Sequence, residues 1–118
     1  MRTILVVDDD DSILGLLEMA LAAQFRVWPC RDGAQAVAIL KERAPDVLLA
    51  DLDLPGVAGE EVARFARTRS EPPVVFLMSA ADERLGRARC LADETFAKPF
   101  DLKAVLSGLA GAPCPCGR

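Results

Sequence analysis

Five short, mostly apolar runs recur along the chain, each ending at polar, proline or glycine residues. They cover residues 3–7, 25–28, 47–50, 74–78 and 95–97. Runs that are apolar without alternation are typical of strands buried on both faces of a parallel sheet. We therefore predict five strands, with Pro29 ending the second.

Between these runs, apolar residues repeat at the spacing of an amphipathic helix. The predicted helices cover residues 12–23, 33–43, 59–69, 82–91 and 101–109. In the first, Ser12 is a predicted N-cap, and Asp10 and Asp11 are also expected to cap the start of the helix. Its predicted inward residues are Ile13, Leu16, Leu17, Ala20 and Leu21. In the fourth, Arg84, Arg87 and Arg89 are interpreted as a solvated face.

Strands that alternate with helices predict an α/β fold with right-handed crossovers. We expect a doubly wound, five-stranded parallel sheet in the order 2-1-3-4-5. Residues 1–111 should form one domain, and residues 112–118 a flexible tail rich in Pro, Gly and Cys. A chain of 118 residues suits one compact unit.

Composition narrows the functional classes. The net charge is -4 and the pI is near 4.8, whereas a nucleic-acid surface needs clustered Lys and Arg. We therefore expect no direct contact with nucleic acid. The sequence contains neither an 18-residue apolar run nor a signal-peptide pattern, so we also expect no membrane association and a cytoplasmic location.

The cysteines do not form a recognisable metal motif. There are four, Cys30, Cys90, Cys114 and Cys116, and the chain has no His to complete a zinc site. We interpret Cys30 and Cys90 as reduced, structural side chains. Cys114 and Cys116 could bind a soft metal or pair with another chain, but the preferred interpretation is that they are incidental.

Polar side chains collect where the predicted strands end. Asp8 to Asp10 follow the first strand, and Asp51 and Asp53 follow the third. In the order 2-1-3-4-5 these two strands are neighbours at the topological switch point, so Asp8, Asp9 and Asp51 should converge. Ionised carboxylates that lie so close together repel one another and need a cation to balance their charge. Oxygen ligands alone favour a hard ion, and a partly hydrated site suits Mg²⁺.

Ser79 and Lys98 follow the fourth and fifth strands, on the other side of Asp51. A cation and a hydroxyl beside a metal-bound carboxylate suit a doubly charged group joined to that carboxylate, and phosphoryl is the obvious candidate. Asp can attack phosphorus to form an acyl phosphate. Because the chain has no His, a phosphohistidine donor would have to be another molecule.

The runs Ile4-Leu5-Val6-Val7-Asp8-Asp9-Asp10, Asp51-Leu52-Asp53-Leu54-Pro55-Gly56-Val57-Ala58-Gly59, Ser79-Ala80 and Phe96-Ala97-Lys98-Pro99-Phe100 resemble the receiver domain of bacterial two-component response regulators, similar to the chemotaxis-type single-domain members. The resemblance covers residues 1 to about 110 and implies the flavodoxin-like (βα)5 receiver fold. Chemotaxis receivers have the strand order 2-1-3-4-5, so the order expected above is consistent with the family and not independent of it.

The resemblance also implies roles for individual residues. Asp51 would be the phosphoacceptor, and Asp8 and Asp9 would hold Mg²⁺. Asp53 would add its backbone carbonyl to the metal. Ser79 and Lys98 would bind the phosphoryl group, and Lys98-Pro99 would be a cis peptide.

The resemblance further implies partners. The donor would be a sensor histidine kinase or a phosphotransfer protein, and the output would pass to a downstream effector. A homodimer could form through the helix 4, strand 5 and helix 5 face. The protein would be a signalling domain, acting as an enzyme only on its own phosphorylation and dephosphorylation. The sequence leaves open whether it acts alone or belongs to a longer regulator.

Three positions depart from the family pattern. Thr95 stands where an aromatic residue is usual, and Phe96 should point to the opposite face of the strand. Leu91 replaces a glycine, and the fourth helix with its preceding loop is about one turn short. The output face is thus less typical than the chemical site.

Asp53 and Ala81 should line the phosphoryl pocket and tune the loss of phosphate.

Two other functions remain open at this stage. One is a pseudo-receiver, an interaction module that works without phosphorylation, which the Thr95 region favours. The other is a phosphatase of the haloacid dehalogenase type, because Asp51-Leu52-Asp53 after an apolar strand also fits that family's opening motif.

Overall fold

Five parallel strands form a single sheet in the order β2-β1-β3-β4-β5. The structure is a computed structural model, and it describes residues 1–99 and 101–111. The strands are β1 (Arg2–Val7), β2 (Phe25–Cys30), β3 (Val47–Asp51), β4 (Val74–Ser79) and β5 (Glu94–Ala97). The predicted sheet and strand order are confirmed.

Five α-helices connect and follow the strands. They are α1 (Asp11–Leu21), α2 (Gly33–Glu42), α3 (Gly59–Arg67), α4 (Asp82–Ala88) and α5 (Leu102–Ala110). A 3₁₀ turn, Arg89–Leu91, follows α4. The fourth predicted helix is therefore only partly α-helical, and its seven α-helical residues make about two turns.

Helices cover both faces of the sheet, so the central strands β1, β3 and β4 are buried on both sides, whereas the edge strands β2 and β5 are partly exposed. Alternate residues of β1 enter different layers: Leu5 and Val7 pack towards α2, α3 and α4, whereas Ile4 and Val6 pack towards α1 and α5. Every residue of β3 and β4 is buried. This double burial explains the continuous apolar runs, and it leaves the strand ends as the place for polar groups.

Three local predictions were wrong. Strand β2 runs through Pro29 to Cys30, because it is an edge strand and can lose one N–H donor. Ser12 is not the N-cap of α1; Asp10 is, by accepting from the Ser12 and Ile13 N–H groups, which confirms the capping role expected for Asp10. Leu16 is 50% exposed and Leu14 is buried in its place, because a helix rich in apolar residues does not define its inner face by periodicity alone.

Several other predictions concern single residues or short segments. Cys30 is a buried free thiol and Cys90 an exposed one, as expected for reduced cysteines. The tail, with Cys114 and Cys116, lies outside the described residues. Within the described part of the chain, no helix has the length and apolar character needed to cross a membrane.

Candidate functional site

Asp51 is the last residue of β3 and is only 3% exposed. The next residue, Leu52, donates its N–H to the Met78 carbonyl of β4, which fixes the chain as it leaves the sheet. The first residue of α3, Gly59, packs so closely here that a Cβ would lie 2.6 Å from Leu52 Cα and would also clash with the Asp51 carbonyl oxygen. The backbone around Asp51 is therefore held from two sides.

Asp8 and Asp9 follow β1, the strand adjacent to β3. Asp8 is fully buried, and its Oδ1 accepts the Asp10 N–H at 2.9 Å, whereas Asp9 is exposed. Carboxylate oxygens of Asp8, Asp9 and Asp51 lie within 4.8 Å of one another. The convergence predicted from the strand order is confirmed.

Lys98, just after β5, reaches across to both buried carboxylates. Its Nζ lies 2.8 Å from Asp51 Oδ2 and 2.9 Å from Asp8 Oδ2. Burial by itself lowers the pKa of Lys98, but the hydrogen bonds to Asp51 and Asp8 outweigh it and the pKa is raised. The Lys98-Pro99 bond is cis, as the family resemblance implies.

The electrostatics of Asp8 follow from the same contacts. Burial raises the pKa of Asp8, and the hydrogen bonds from Asp10 and Lys98 offset part of that rise. The charge of Asp51 adds to it. The single Lys98 ammonium is thus shared by two buried carboxylates, so a further positive charge at the site would be electrostatically favourable.

Asp53 and Ser79 lie on the other side of Asp51. The Asp53 N–H donates to Asp51 Oδ1 at 2.9 Å, and the Ser79 hydroxyl donates to Asp53 Oδ2 at 3.0 Å. Ser79 Oγ also accepts the Ala81 N–H at 3.0 Å. The Ser79 hydroxyl is therefore bonded to Asp53 and not to Asp51, while the Asp53 carboxylate is directed towards Ser79 and α4.

Arg84 of α4 does not belong to a solvated face, so that prediction was wrong for this residue. Its Nη1 lies 2.6 Å from Asp53 Oδ1, and its Nε and Nη2 each lie 2.8 Å from a carboxylate oxygen of Glu60. Pairing with Arg84 lowers the pKa of Glu60. Arg87 and Arg89 are exposed, as expected. The spacing of the three arginines could not separate them, because the difference depends on how α3 and α4 are placed.

The residues that depart from the family pattern sit beyond the site. Thr95 and Phe96 are both half-buried in β5. Phe96 stacks on Phe76 at 5.8 Å between ring centroids, in the layer of α1 and α5. Leu91 packs on the opposite layer. Phe96 thus packs in the layer of α1 and α5 and, as predicted, does not take the place of the aromatic side chain that the family usually has where this chain has Thr95.

The cluster of Asp8, Asp9 and Asp51 suits a hard divalent cation. It offers oxygen ligands only, it carries more negative charge than Lys98 balances, and exposed Asp9 leaves one side open to water. Those are the properties that Mg²⁺ sites show in proteins. The same edge of the sheet brings together a carboxylate, an ammonium and a hydroxyl, which are groups that phosphoryl transfer can use.

Comparisons with known proteins agree with this geometry. The family model described as response regulator receiver domain matches residues 4–110. The BeF3-activated DrrB receiver domain is 27% identical, with 100% of this chain and 99% of that chain covered and a TM-score of 0.85. TrrA of Thermotoga maritima, solved in complex with Mg(2+)-BeF, is 27% identical, with 93% and 97% covered and a TM-score of 0.84.

A chemotaxis protein is similar too. The chemotaxis response regulator CheY4 of Vibrio cholerae is 25% identical, with 93% of this chain and 97% of that chain covered and a TM-score of 0.84. The family model spans nearly all of the sheet and helices described above, and the acidic pocket lies within it. The chain belongs to the response regulator receiver domain family of two-component signalling.

Proposed function

We propose that this protein is a phosphorylation switch that accepts a phosphoryl group on Asp51 from a histidine of another protein. The observation that carries the proposal is the cluster at the sheet edge: Asp51 lies within 4.8 Å of the Asp8 and Asp9 carboxylates and 2.8 Å from Lys98 Nζ. The donor would be a sensor histidine kinase or a phosphotransfer protein. Membership of the receiver family supports this donor class.

In the proposed reaction an Asp51 carboxylate oxygen attacks phosphorus and forms an O–P bond. The N–P bond of the donor phosphohistidine breaks, and the imidazole leaves with its electron pair. Lys98 is already hydrogen-bonded to Asp51 Oδ2 and would pair with the equatorial oxygens. Ser79 would move its hydroxyl from Asp53 to the phosphoryl group, a change that could be transmitted to α4 through Ala81.

Asp8, Asp9 and Asp51, with the Asp53 backbone carbonyl, would hold Mg²⁺. When bound, the ion would neutralise charge that builds up on the transferred group. Asp8 is buried and Asp9 is exposed, so Asp9 would be the metal ligand on the solvent side. The structure of TrrA in complex with Mg(2+)-BeF supports Mg²⁺ as the ion.

The test is phosphorylation by acetyl phosphate with Mg²⁺, followed by intact-mass measurement. The wild type should gain one phosphoryl group, and Asp51→Asn should gain none. An unmodified wild type would overturn the proposal and favour a pseudo-receiver. Continuous hydrolysis of a phosphate ester without a stable acyl phosphate would favour a dehalogenase-type phosphatase, to which the family match lends no support.

The output is proposed to leave through α4, β5 and α5, to a downstream effector or a second copy of the chain. We further propose that residues 1–111 form the receiver domain, that residues 112–118 form a flexible tail, and that the protein acts in the cytoplasm without direct contact with nucleic acid. Sedimentation with and without beryllofluoride would test the homodimer: an unchanged sedimentation coefficient would exclude phosphorylation-dependent dimerisation.

A further inference from the structure

Arg84 connects helix α4 to two acidic residues of other segments. Two of its nitrogens bind Glu60 of α3 at 2.8 Å each, and Nη1 binds Asp53 Oδ1 at 2.6 Å. The side chain is 29% exposed and that of Glu60 is 22% exposed. A guanidinium that spans two carboxylates in this way has a fixed direction, unlike a single surface ion pair.

Asp53 is the point where this ion pair meets the acceptor site. Its N–H donates to Asp51 Oδ1, and its Oδ2 accepts the Ser79 hydroxyl at 3.0 Å. The two carboxylate oxygens of Asp53 therefore have different partners, Arg84 on one and Ser79 on the other. Arg84 is joined through Asp53 to the two groups that must handle the phosphoryl group.

The charge of Asp53 would oppose the proposed reaction if it stood alone. Asp8, Asp9 and Asp51 already crowd the site, and Lys98 is bonded to two of them. A further carboxylate two residues after the acceptor repels an anionic phosphodonor and the phosphoryl group itself. The Arg84 guanidinium balances this carboxylate and keeps it directed towards α4.

We infer that Arg84 is a positioning residue for phosphoryl transfer, acting through Asp53. It neutralises the Asp53 carboxylate at the mouth of the acceptor site and fixes the Asp53 orientation to which Ser79 is hydrogen-bonded. The inference rests on the proposed function. It assigns to a residue of α4 a role in the chemistry, in addition to the residues at the strand ends.

The alternative is that Arg84 only ties α3 to α4. Glu60→Gln separates the two roles, because it removes the bidentate pair between these helices and leaves Arg84 with Asp53. A purely structural Arg84 would make Arg84→Gln and Glu60→Gln equivalent. Arg87→Gln is the matched charge control, since Arg87 lies on the same helix and is exposed.

The experiment measures the rate of modification by acetyl phosphate with Mg²⁺ at several donor concentrations, and beryllofluoride affinity as a second readout. Arg84→Gln should lower the apparent second-order rate constant about fivefold, because the Asp53 carboxylate two residues from the acceptor then loses its charge partner. Arg84→Lys should recover part of the loss. Arg87→Gln and Glu60→Gln should stay close to the wild type.

The decisive comparison uses the Asp53→Asn background, in which residue 53 carries no charge for Arg84 to offset and Arg84 keeps only Glu60 as a carboxylate partner. Adding Arg84→Gln there should change neither the rate nor the affinity. The fivefold effect in the native background should also shrink at high ionic strength. An equal loss in both backgrounds, or a wild-type rate for Arg84→Gln, would overturn the inference. An unmodified wild type would instead overturn the proposed function and the inference with it.

Discussion

Replacing Lys98 by Met removes the ammonium that two buried carboxylates share. The Lys98 side chain is 14% exposed, and its Nζ lies 2.8 and 2.9 Å from the Asp51 and Asp8 oxygens. At an effective dielectric constant of about 20, each contact has a gross Coulomb energy of roughly 6 kcal/mol, most of which desolvation offsets. Removing one partner of such a buried group costs about 3 kcal/mol of unfolding free energy.

The loss should depend on pH in a defined direction. The pKa of Asp8 in the folded protein is above its ordinary value, and without Lys98 it should rise further. Between the pKa of Asp8 in the unfolded state and its higher pKa in the folded state, the folded protein binds more protons than the unfolded chain. The stability of the variant should therefore fall as pH rises through that interval. The raised pKa of Lys98 keeps the wild-type ammonium charged throughout it. The loss of unfolding free energy in Lys98→Met, relative to the wild type, should therefore be largest near neutral pH and shrink on acidification.

Urea unfolding at neutral and mildly acidic pH, in the presence of a chelator so that no cation replaces the ammonium, measures this deficit. Lys103→Met, an exposed change on α5, is the matched control and should cost less than about 0.5 kcal/mol. Asp8→Asn combined with Lys98→Met should recover at least about 1.5 kcal/mol relative to the sum of the single changes. A deficit below about 1 kcal/mol, or one that is additive and independent of pH, would refute the reasoning.

Three further substitutions test the packing beside Asp51 and the orientation of α1. Gly59→Ala should lower the unfolding free energy by about 2 kcal/mol, because the added Cβ has no space beside Asp51 and Leu52; wild-type stability in urea unfolding would contradict this close approach. Leu17→Ala should cost about 3 kcal/mol because Leu17 is fully buried. Leu16→Ala, at a half-exposed position on the same helix, should cost less than about 1 kcal/mol, and equal losses would contradict the orientation of α1.

The fold was predictable because the three central strands are buried on both sides. Double burial produces uninterrupted apolar runs, and runs separated by helical segments leave few possible topologies. The same logic places Asp8, Asp51, Ser79 and Lys98 at one edge, since the carboxyl ends of parallel strands share it. These positions follow from strand direction alone and do not require knowledge of side-chain packing.

The errors arose where tertiary placement decides. The inner face of α1 was misassigned at Leu16, because neighbouring leucines at positions 14, 16 and 17 satisfy more than one helical face. Arg84 was misassigned because its partners belong to α3 and to the loop after β3, and helical periodicity does not specify the neighbour. The role of Ser79 towards the phosphoryl group stays a prediction, and its hydrogen bond to Asp53 depends on a rotamer that no sequence pattern encodes.

The contact between Lys98 and Asp8 joins residues 90 positions apart in the chain. Closing a loop of that length has a length-dependent entropic cost of roughly 4 kcal/mol, which is recovered only when the last strand docks. Until β5 adds to the sheet, Asp8 and Asp51 lack their shared counter-charge. The site is therefore complete only when β5 is paired with β4, and a chain without that pairing would not carry a finished site.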